Sequence, residues 1–231
     1  MPVYLDIATK LDREVREQYA VGEFLPSESS LAERFAVNRH TLRRAIDELV
    51  NTGLIQRHQG KGNRVMNQPD EYLVNADAKF TKNLIEQGAR PRCEVIQSRI
   101  IVAPSQIAVE LNIAQGAKII HLRTLRKTEI SPRTVIDHYL VDPGWWSIIK
   151  NYSHGSLHEF MKRGLGIELE RKRTRVGAKE PTNEECSLLD IDKHTPILTI
   201  KTHNIIKGTD RVAEFSYSHS RSDTTEIVME H

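Results

Sequence analysis

Tyr4, Ile7, Leu11 and Val15 recur at three- and four-residue intervals, which predicts an amphipathic helix from about Leu5 to Tyr19. Gly22 and Pro26 in GEFLPSES break that pattern, and Ser27 is placed to cap a second helix, ESSLAERF, with Leu31, Ala32 and Phe35 facing inward. After the turn AVN, Asn38 caps a third helix in which Leu42, Ala45, Ile46, Leu49 and Val50 share one face, and Gly53 ends it. Two short strand-like runs, LIQRH and NRVM, flank QGKG, the expected tip of a hairpin. Three helices, the last two tightly joined, and a hairpin behind them predict a winged helix-turn-helix.

The pattern then changes. NQPDEYLVNAD carries Pro69 and several polar residues and reads as a linker. Beyond it, CEVIQSRIIV, AKIIHLRTLRK, TVIDHYLV, ILTIKTHNII, VAEFSYSHS and TEIVME are rich in β-branched and aromatic residues, as strands are. Short helices lie between them: SQIAVELN after Pro104, SLHEFMKRGLG with Ser156 and Glu159 at capping-box spacing, and TNEECSLLD with Thr182 and Glu185 repeating it. The expected fold class is a two-domain α+β protein whose second domain is built on an antiparallel sheet. The expected division is a winged helix-turn-helix domain over 1–68, a linker over 69–78, and the α+β domain over 79–231.

Composition adds bounds. Charged residues at 28% and hydrophobic ones at 39% are ordinary for a soluble globular protein. The sequence contains no apolar run of about 18 residues and no signal-peptide pattern, so no membrane association is expected and the cytoplasm is the expected location. Cys93 and Cys186 form no CxxC pair and are expected as free thiols. The formal net charge of +2 is uninformative, but its distribution is not: between Arg34 and Arg64, seven lysines and arginines stand against Asp47 and Glu48.

That local excess sits on the third helix. With Leu42, Ile46 and Leu49 inward, His40 and Arg44 point away from the core, and Arg39 and Arg43 stack one turn apart along its edge. Such a row near a helix N-terminus suits the DNA major groove, where arginine grips guanine in a bidentate way. Thr41 and the first amides of the helix are placed for a phosphate. Arg57, Gln59 and Lys61 on the hairpin would lie along the neighbouring backbone, with Gly60 and Gly62 letting the tip approach the minor groove closely.

The second domain shows no GxSxG, Walker, HExxH or GxGxxG pattern, and His154 and His158 are no metal pair, because Ser156 starts the helix between them. No cofactor and no metal is expected. Polar residues inside strand patterns are the stronger signal. Glu214, Ser216 and Ser218 alternate on one face of AEFSYS, Arg123 and Arg126 interrupt IIHLRTLR, and Ser156 heads a helix. Alternation sends Arg123 and Arg126 to opposite faces unless a bulge intervenes. Cations, hydroxyls and a helix N-terminus together would form an anion pocket. Asp137 and Tyr139 in DHY are further polar candidates on a strand.

YLDIATKLDREV and GEFLPSESSLAERFAVNRHTLRRAIDELVNTGLIQRHQGKG resemble the winged-helix domain of GntR-type bacterial transcription regulators. That resemblance implies that Arg39, Thr41 and Arg43 touch DNA, with Gln59, Gly60 and Lys61 at the wing and Ser27 heading the second helix. The part from about Leu73 to Glu230 is similar to the effector-binding domain of the HutC branch of that family, the UTRA domain, whose fold is like that of chorismate lyase. Its marks are FTKNLIEQG, IIHLRTLR, DHYLV, GSLHEFM, PTNEECSLLDI and AEFSYSHSRSD. Within the branch, NRHTLRRAID, LRTLR, IDHY and the terminal MEH resemble regulators of phosphonate-utilisation genes. This chain departs from the branch in having Ile136-Asp137-His138-Tyr139 where relatives read more like Glu-Arg-Ser-Tyr, and Lys79 where many carry a small hydroxyl residue.

Together these features predict a homodimeric transcriptional repressor that binds a palindromic double-stranded DNA operator and leaves it when a small anionic effector, a phosphonate or phosphate ester, binds. The alternatives are a sensor of another ligand such as a sugar phosphate, and a chorismate-lyase-like enzyme fused to a DNA-binding arm.

Overall fold

Helix α1, Val3–Gln18, turns Ile7, Ala8, Leu11 and Val15 to the interior, and its outer face is laced by the i,i+4 pairs Asp6–Lys10, Asp12–Arg16 and Arg13–Glu17 at 2.8 Å. Helix α2, Glu28–Arg34, starts at Ser27, whose hydroxyl accepts the Ser30 amide at 3.2 Å; α3, Arg39–Asn51, starts at Asn38, whose carbonyl accepts the Thr41 amide at 2.8 Å. Ala36 at φ +52° and the cap at Asn38 make the turn between them short. Leu42, Ala45, Ile46 and Leu49 of α3 are buried against Ile7, Leu11, Val15 and Leu31. Strands β1, Ile55–His58, and β2, Gly62–Val65, pair antiparallel as the wing, with Ile55 opposite Val65. Gly60 in the tip has φ +75°, which a side chain rarely tolerates.

This structure is a computed structural model; it describes residues 2–58, 60–66, 70–73, 92–128 and 131–228. The chain forms two units, Met1–Asp70 and Glu71–His231. The second is built on a six-stranded antiparallel sheet of β4 (Arg92–Val102), β5 (Lys118–Lys127), β6 (Pro132–Leu140), β7 (Leu169–Lys179), β8 (Ile197–Ile206) and β9 (Val212–Arg221), in the order β4-β5-β6-β9-β8-β7. Helices α5 (Trp146–Ile149) and α6 (Leu157–Leu165) cover one face, where Trp145, Ile149, Tyr152, Leu157 and Met161 pack on Ile120, Leu122 and Leu140. On the other face α4 (Ser105–Leu111) packs on Ile119 and Phe215, and α7 (Asn183–Leu189) on Leu125, Val135 and Ile197. The capping box of α7 is complete: the Thr182 hydroxyl accepts the Glu185 amide, and the Glu185 carboxylate accepts the Thr182 amide.

Two elements depart from the pattern reading. Part of the expected linker is strand β3, Asp70–Leu73, hydrogen-bonded to β10, Thr225–Val228, in a separate two-stranded sheet. Strand β7 has no counterpart among the expected strands. Its sequence, LERKRTRVGAK, carries charge on both faces, because it is an edge strand with many of its residues exposed. Both cysteines are free.

Leu42 is fully buried among α1, α2 and α3. Leu42→Ala should therefore cost about 2–5 kcal/mol through lost transfer energy and a residual cavity, read as an earlier melt of the helical circular dichroism signal.

Candidate functional site

The first candidate surface is the outer face of α3. Arg39, His40, Arg43 and Arg44 are all exposed there, but they are not equivalent. Arg39 and His40 occupy the first turn. Thr41 lends its amide to the Asn38 cap, so that amide is already engaged. The Arg44 guanidinium rests over the Tyr4 ring of α1 at 3.9 Å, a cation–π contact. Arg43 reaches back to Glu28 of α2, both Nε and an amino nitrogen lying 3.3 Å from Oε2. Arg57 of the wing donates to Asp47 at 2.5 Å and to the Arg43 carbonyl at 3.4 Å, which ties β1 to α3. Ser27 spends its hydroxyl on the α2 cap. Gly60 and Lys61 are exposed at the wing tip; Gln59 lies outside the described residues.

The second candidate is a sheet face. Cross-strand partners point to the same side, so the registers sort every residue. Arg126 pairs with Thr134, Thr134 with Ser220, His138 with Ser216 and Leu140 with Glu214, and Thr202 and Asn204 oppose Ser216 and Glu214. These share the face that α6 covers. Arg126 is 4% exposed; it donates to the Gly155 carbonyl at 2.6 Å and to the Tyr152 hydroxyl at 3.2 Å, while its Nε has no hydrogen-bond partner. No carboxylate pairs with it among the described residues, so a buried cation stands beside the start of α6 without a counter-charge. Ser156 caps that helix, its hydroxyl 3.4 Å from the Glu159 amide.

Glu214, fully buried on the same face, receives three donors: His138 Nδ1 at 2.6 Å, His158 Nε2 at 2.7 Å and Asn204 Nδ2 at 2.6 Å. Burial works to raise its pKa, but the charge of His158 and the hydrogen bonds from both histidines outweigh it and hold the carboxylate well below its usual range. Burial pushes His138 down, toward the neutral form. A neutral His138 donating from Nδ1 keeps Nε2 as an acceptor, facing the Thr124 hydroxyl at 3.4 Å. Glu214 is thus filled by the protein's own side chains, and its place in the site is to fix α6 to the sheet.

The pocket expected to hold both arginines does not form. Arg123 faces the opposite side of the sheet with Asp137 and Tyr139, because no bulge in β5 against β6 intervenes between positions 123 and 126. There Asp137 accepts from His121 Nε2 at 2.7 Å and lies 3.6 Å from Arg123, and Arg123 pairs with Glu184 of α7 at 2.8 Å. Tyr139 stacks on His121 with centroids 4.7 Å apart, and burial raises its phenol to about 12. This cluster neutralises itself. Lys79 lies outside the described residues. The face that α6 covers therefore carries Arg126, Ser216 and Glu214, with Ser156 at the start of that helix. His138 and Asn204 are members that the pattern does not single out, and His158 is weighed there only as a metal ligand; the signal available is a glutamate inside a buried strand, which requires donors. Among the described residues His154 bonds only to Ser153, and no group of histidine, cysteine or carboxylate side chains is arranged to hold a metal ion. No helix among them is long and apolar enough to cross a membrane.

Comparison with known proteins matches residues 3–65 to the family described as bacterial regulatory proteins, gntR family, and residues 86–226 to the UTRA domain. The chain is 43% identical over 228 residues to the probable transcriptional regulator PhnF of Escherichia coli K12, covering 99% of this chain and 95% of that protein. It is 25% identical to the transcriptional repressor NagR of Bacillus subtilis, covering 96% and 90%. Its fold resembles the crystal structure of PhnF from Mycobacterium smegmatis, with a TM-score of 0.66 at 22% identity over 97% of this chain and 98% of that one.

His138 and His219 are both held toward the neutral form by burial, whereas an unfolded histidine titrates near 6.5. The unfolded chain therefore takes up protons first as acidity rises, so this stability is present above about pH 6.5 and is lost as pH falls toward the folded values. Glu214, whose pKa is depressed, adds a loss in the same direction below about pH 4.5. The urea midpoint read by fluorescence of Trp145 and Trp146, the chain's two tryptophans, should drop between pH 7 and 5, and less steeply in His138→Gln.

Proposed function

The chain belongs to the GntR family of bacterial regulatory proteins and carries a UTRA domain; it is a DNA-binding transcriptional regulator and not an enzyme, and on that premise we propose that it is a homodimeric, cytoplasmic repressor released from a palindromic operator by a small phosphonate or phosphate ester. The observation that carries the effector reading is Arg126: a buried guanidinium with an unpartnered Nε and, among the described residues, no carboxylate partner, beside the N-terminus of α6 and on the sheet face that also carries Ser216. A tetrahedral dianion supplies the acceptors that this arrangement lacks, and a helix N-terminus favours its charge. The resemblance of NRHTLRRAID, LRTLR, IDHY and the terminal MEH to regulators of phosphonate-utilisation genes supports a phosphonate over other anions.

Two copies are needed because one α3 reads one half-site; two such helices, held about one helical turn of DNA apart, match a palindrome. On α3, Arg39 and Arg43 are the base-reading side chains of this proposal, with His40, the first-turn amides and Lys61 on phosphates. Arg44 joins them at the backbone. Effector and operator then compete for conformations, and a coupling of about 1–3 kcal/mol gives a switch of roughly 5- to 150-fold.

A second reading has its own observation. Ser216 and Thr202 face the same side of the sheet as Arg126, and such hydroxyls suit a ligand that carries its own, such as a sugar phosphate; the repressor of a mannosyl-D-glycerate system is a relative at 25% identity.

Methylphosphonate, inorganic phosphate and glucosamine 6-phosphate, each in a thermal-shift titration, test these readings. A bound ligand at a hundred times its Kd raises stability by about 2.7 kcal/mol. That gain should appear with the phosphonate and vanish in Arg126→Gln; a gain with the sugar phosphate alone would select the second reading. For DNA, Arg43→Ala should weaken specific binding by about 1–3 kcal/mol, while Lys61→Ala should weaken binding to all sequences and shrink the salt dependence. Equal losses on specific and random duplexes for both variants would overturn this division of roles.

A further inference from the structure

Glu28 occupies the first position of α2, with its side chain 25% exposed. Its two oxygens address two different elements. Oε2 accepts from Nε and an amino nitrogen of Arg43 on α3, both at 3.3 Å, and Oε1 lies 3.9 Å from Nε of Arg57 on β1. Arg57 is further held by Asp47 and by the Arg43 carbonyl. One carboxylate on α2 therefore sits between the exposed arginine of the reading helix and the arginine that ties the wing to it.

Such a carboxylate has consequences for recognition. Arg43 is a long side chain, 67% exposed on its helix, and any duplex offers it phosphates. A freely swinging guanidinium would take the nearest phosphate whatever the sequence, adding affinity without information. Held by Glu28, it leaves that contact only for an acceptor pair of better geometry, as at a guanine edge. The pair is partly exposed and thus weak enough to be exchanged. Meanwhile the negative charge of Glu28 disfavours a close approach of phosphate at the same spot.

We propose that Glu28 is a specificity-determining positioning residue, which withholds Arg43 from DNA phosphates so that α3 spends it on base edges. The inference rests on α3 being the reading helix and Arg43 one of its contacts. Loss of the carboxylate should tighten binding to all DNA while eroding discrimination, an outcome opposite to that of losing a direct contact.

The test uses the full-length protein, a duplex selected by the wild type from a randomised pool, and a scrambled duplex of equal composition. Affinity for both is titrated at several salt concentrations, with Glu28→Gln, Glu28→Asp and Arg43→Ala alongside. Glu28→Gln should bind the scrambled duplex about fivefold tighter and the selected one within about twofold of wild type, lowering the ratio. Glu28→Asp keeps the charge but withdraws it by one methylene, and should lower the ratio in the same direction. If Glu28→Asp keeps the wild-type ratio while Glu28→Gln gains equally on both duplexes, only bulk charge is at work and the proposal fails. It also fails if Glu28→Gln changes neither affinity, or if the wild type selects no sequence. If Arg43→Ala keeps the wild-type ratio, the fault lies with the reading of α3 and not with Glu28. Thermal melting accompanies each variant, and should Glu28→Gln melt early, Glu28→Asp carries the decision.

Discussion

A pleated strand gives its side chains to two sides by turns, and that constraint sorts the effector domain. Arg123 and Arg126 lie three positions apart on β5, so the pleat sends them to opposite faces. On one face Arg123 meets Asp137 and Glu184 and its charge is cancelled. On the other, Arg126 finds a carbonyl and a phenol but, among the described residues, no acid. Everything proposed for the ligand follows from that asymmetry, since a buried charge without a partner is costly and demands one. Across β5, β6 and β9 the same rule puts Ser216, His138 and Glu214 on its face, although they come from distant parts of the chain.

The clasp around Glu214 gives this face its geometry. His138 comes from the sheet and His158 from α6, and both donate to one carboxylate. A helix fixed at that point has its first turn, with Ser156 and the Gly155 carbonyl, set against Arg126. The network is satisfied internally, as a buried polar cluster must be if it is to add definition instead of strain. Glu214 therefore joins α6 to the sheet.

How much of this could be read from the residues follows the physics of each element. The winged helix is legible because caps, helical spacing and a glycine-marked tip are local signals, and Ser27, Asn38 and Gly60 each stand where they are expected to stand. The alternation that separates Arg123 from Arg126 is legible too. What stays hidden is which helix covers which face: nothing near Glu214 in sequence names His158 as its partner. Strand β7 is hidden for another reason, since an exposed edge strand has no apolar rhythm to display. The clamp of Glu28 on Arg43 and Arg57 is likewise a product of the fold, bringing together side chains from α2, α3 and the wing.

The pairing of β3 with β10 bears on how the protein is made. The winged helix closes on contacts among neighbouring segments and can form as soon as it leaves the ribosome. By contrast, β3 finds its partner only when the strand after β9 has been synthesised, and the sheet itself joins β6 to β9 across two intervening strands. Each nascent chain thus passes through an interval in which its DNA-binding head is complete while its effector domain is still unfinished.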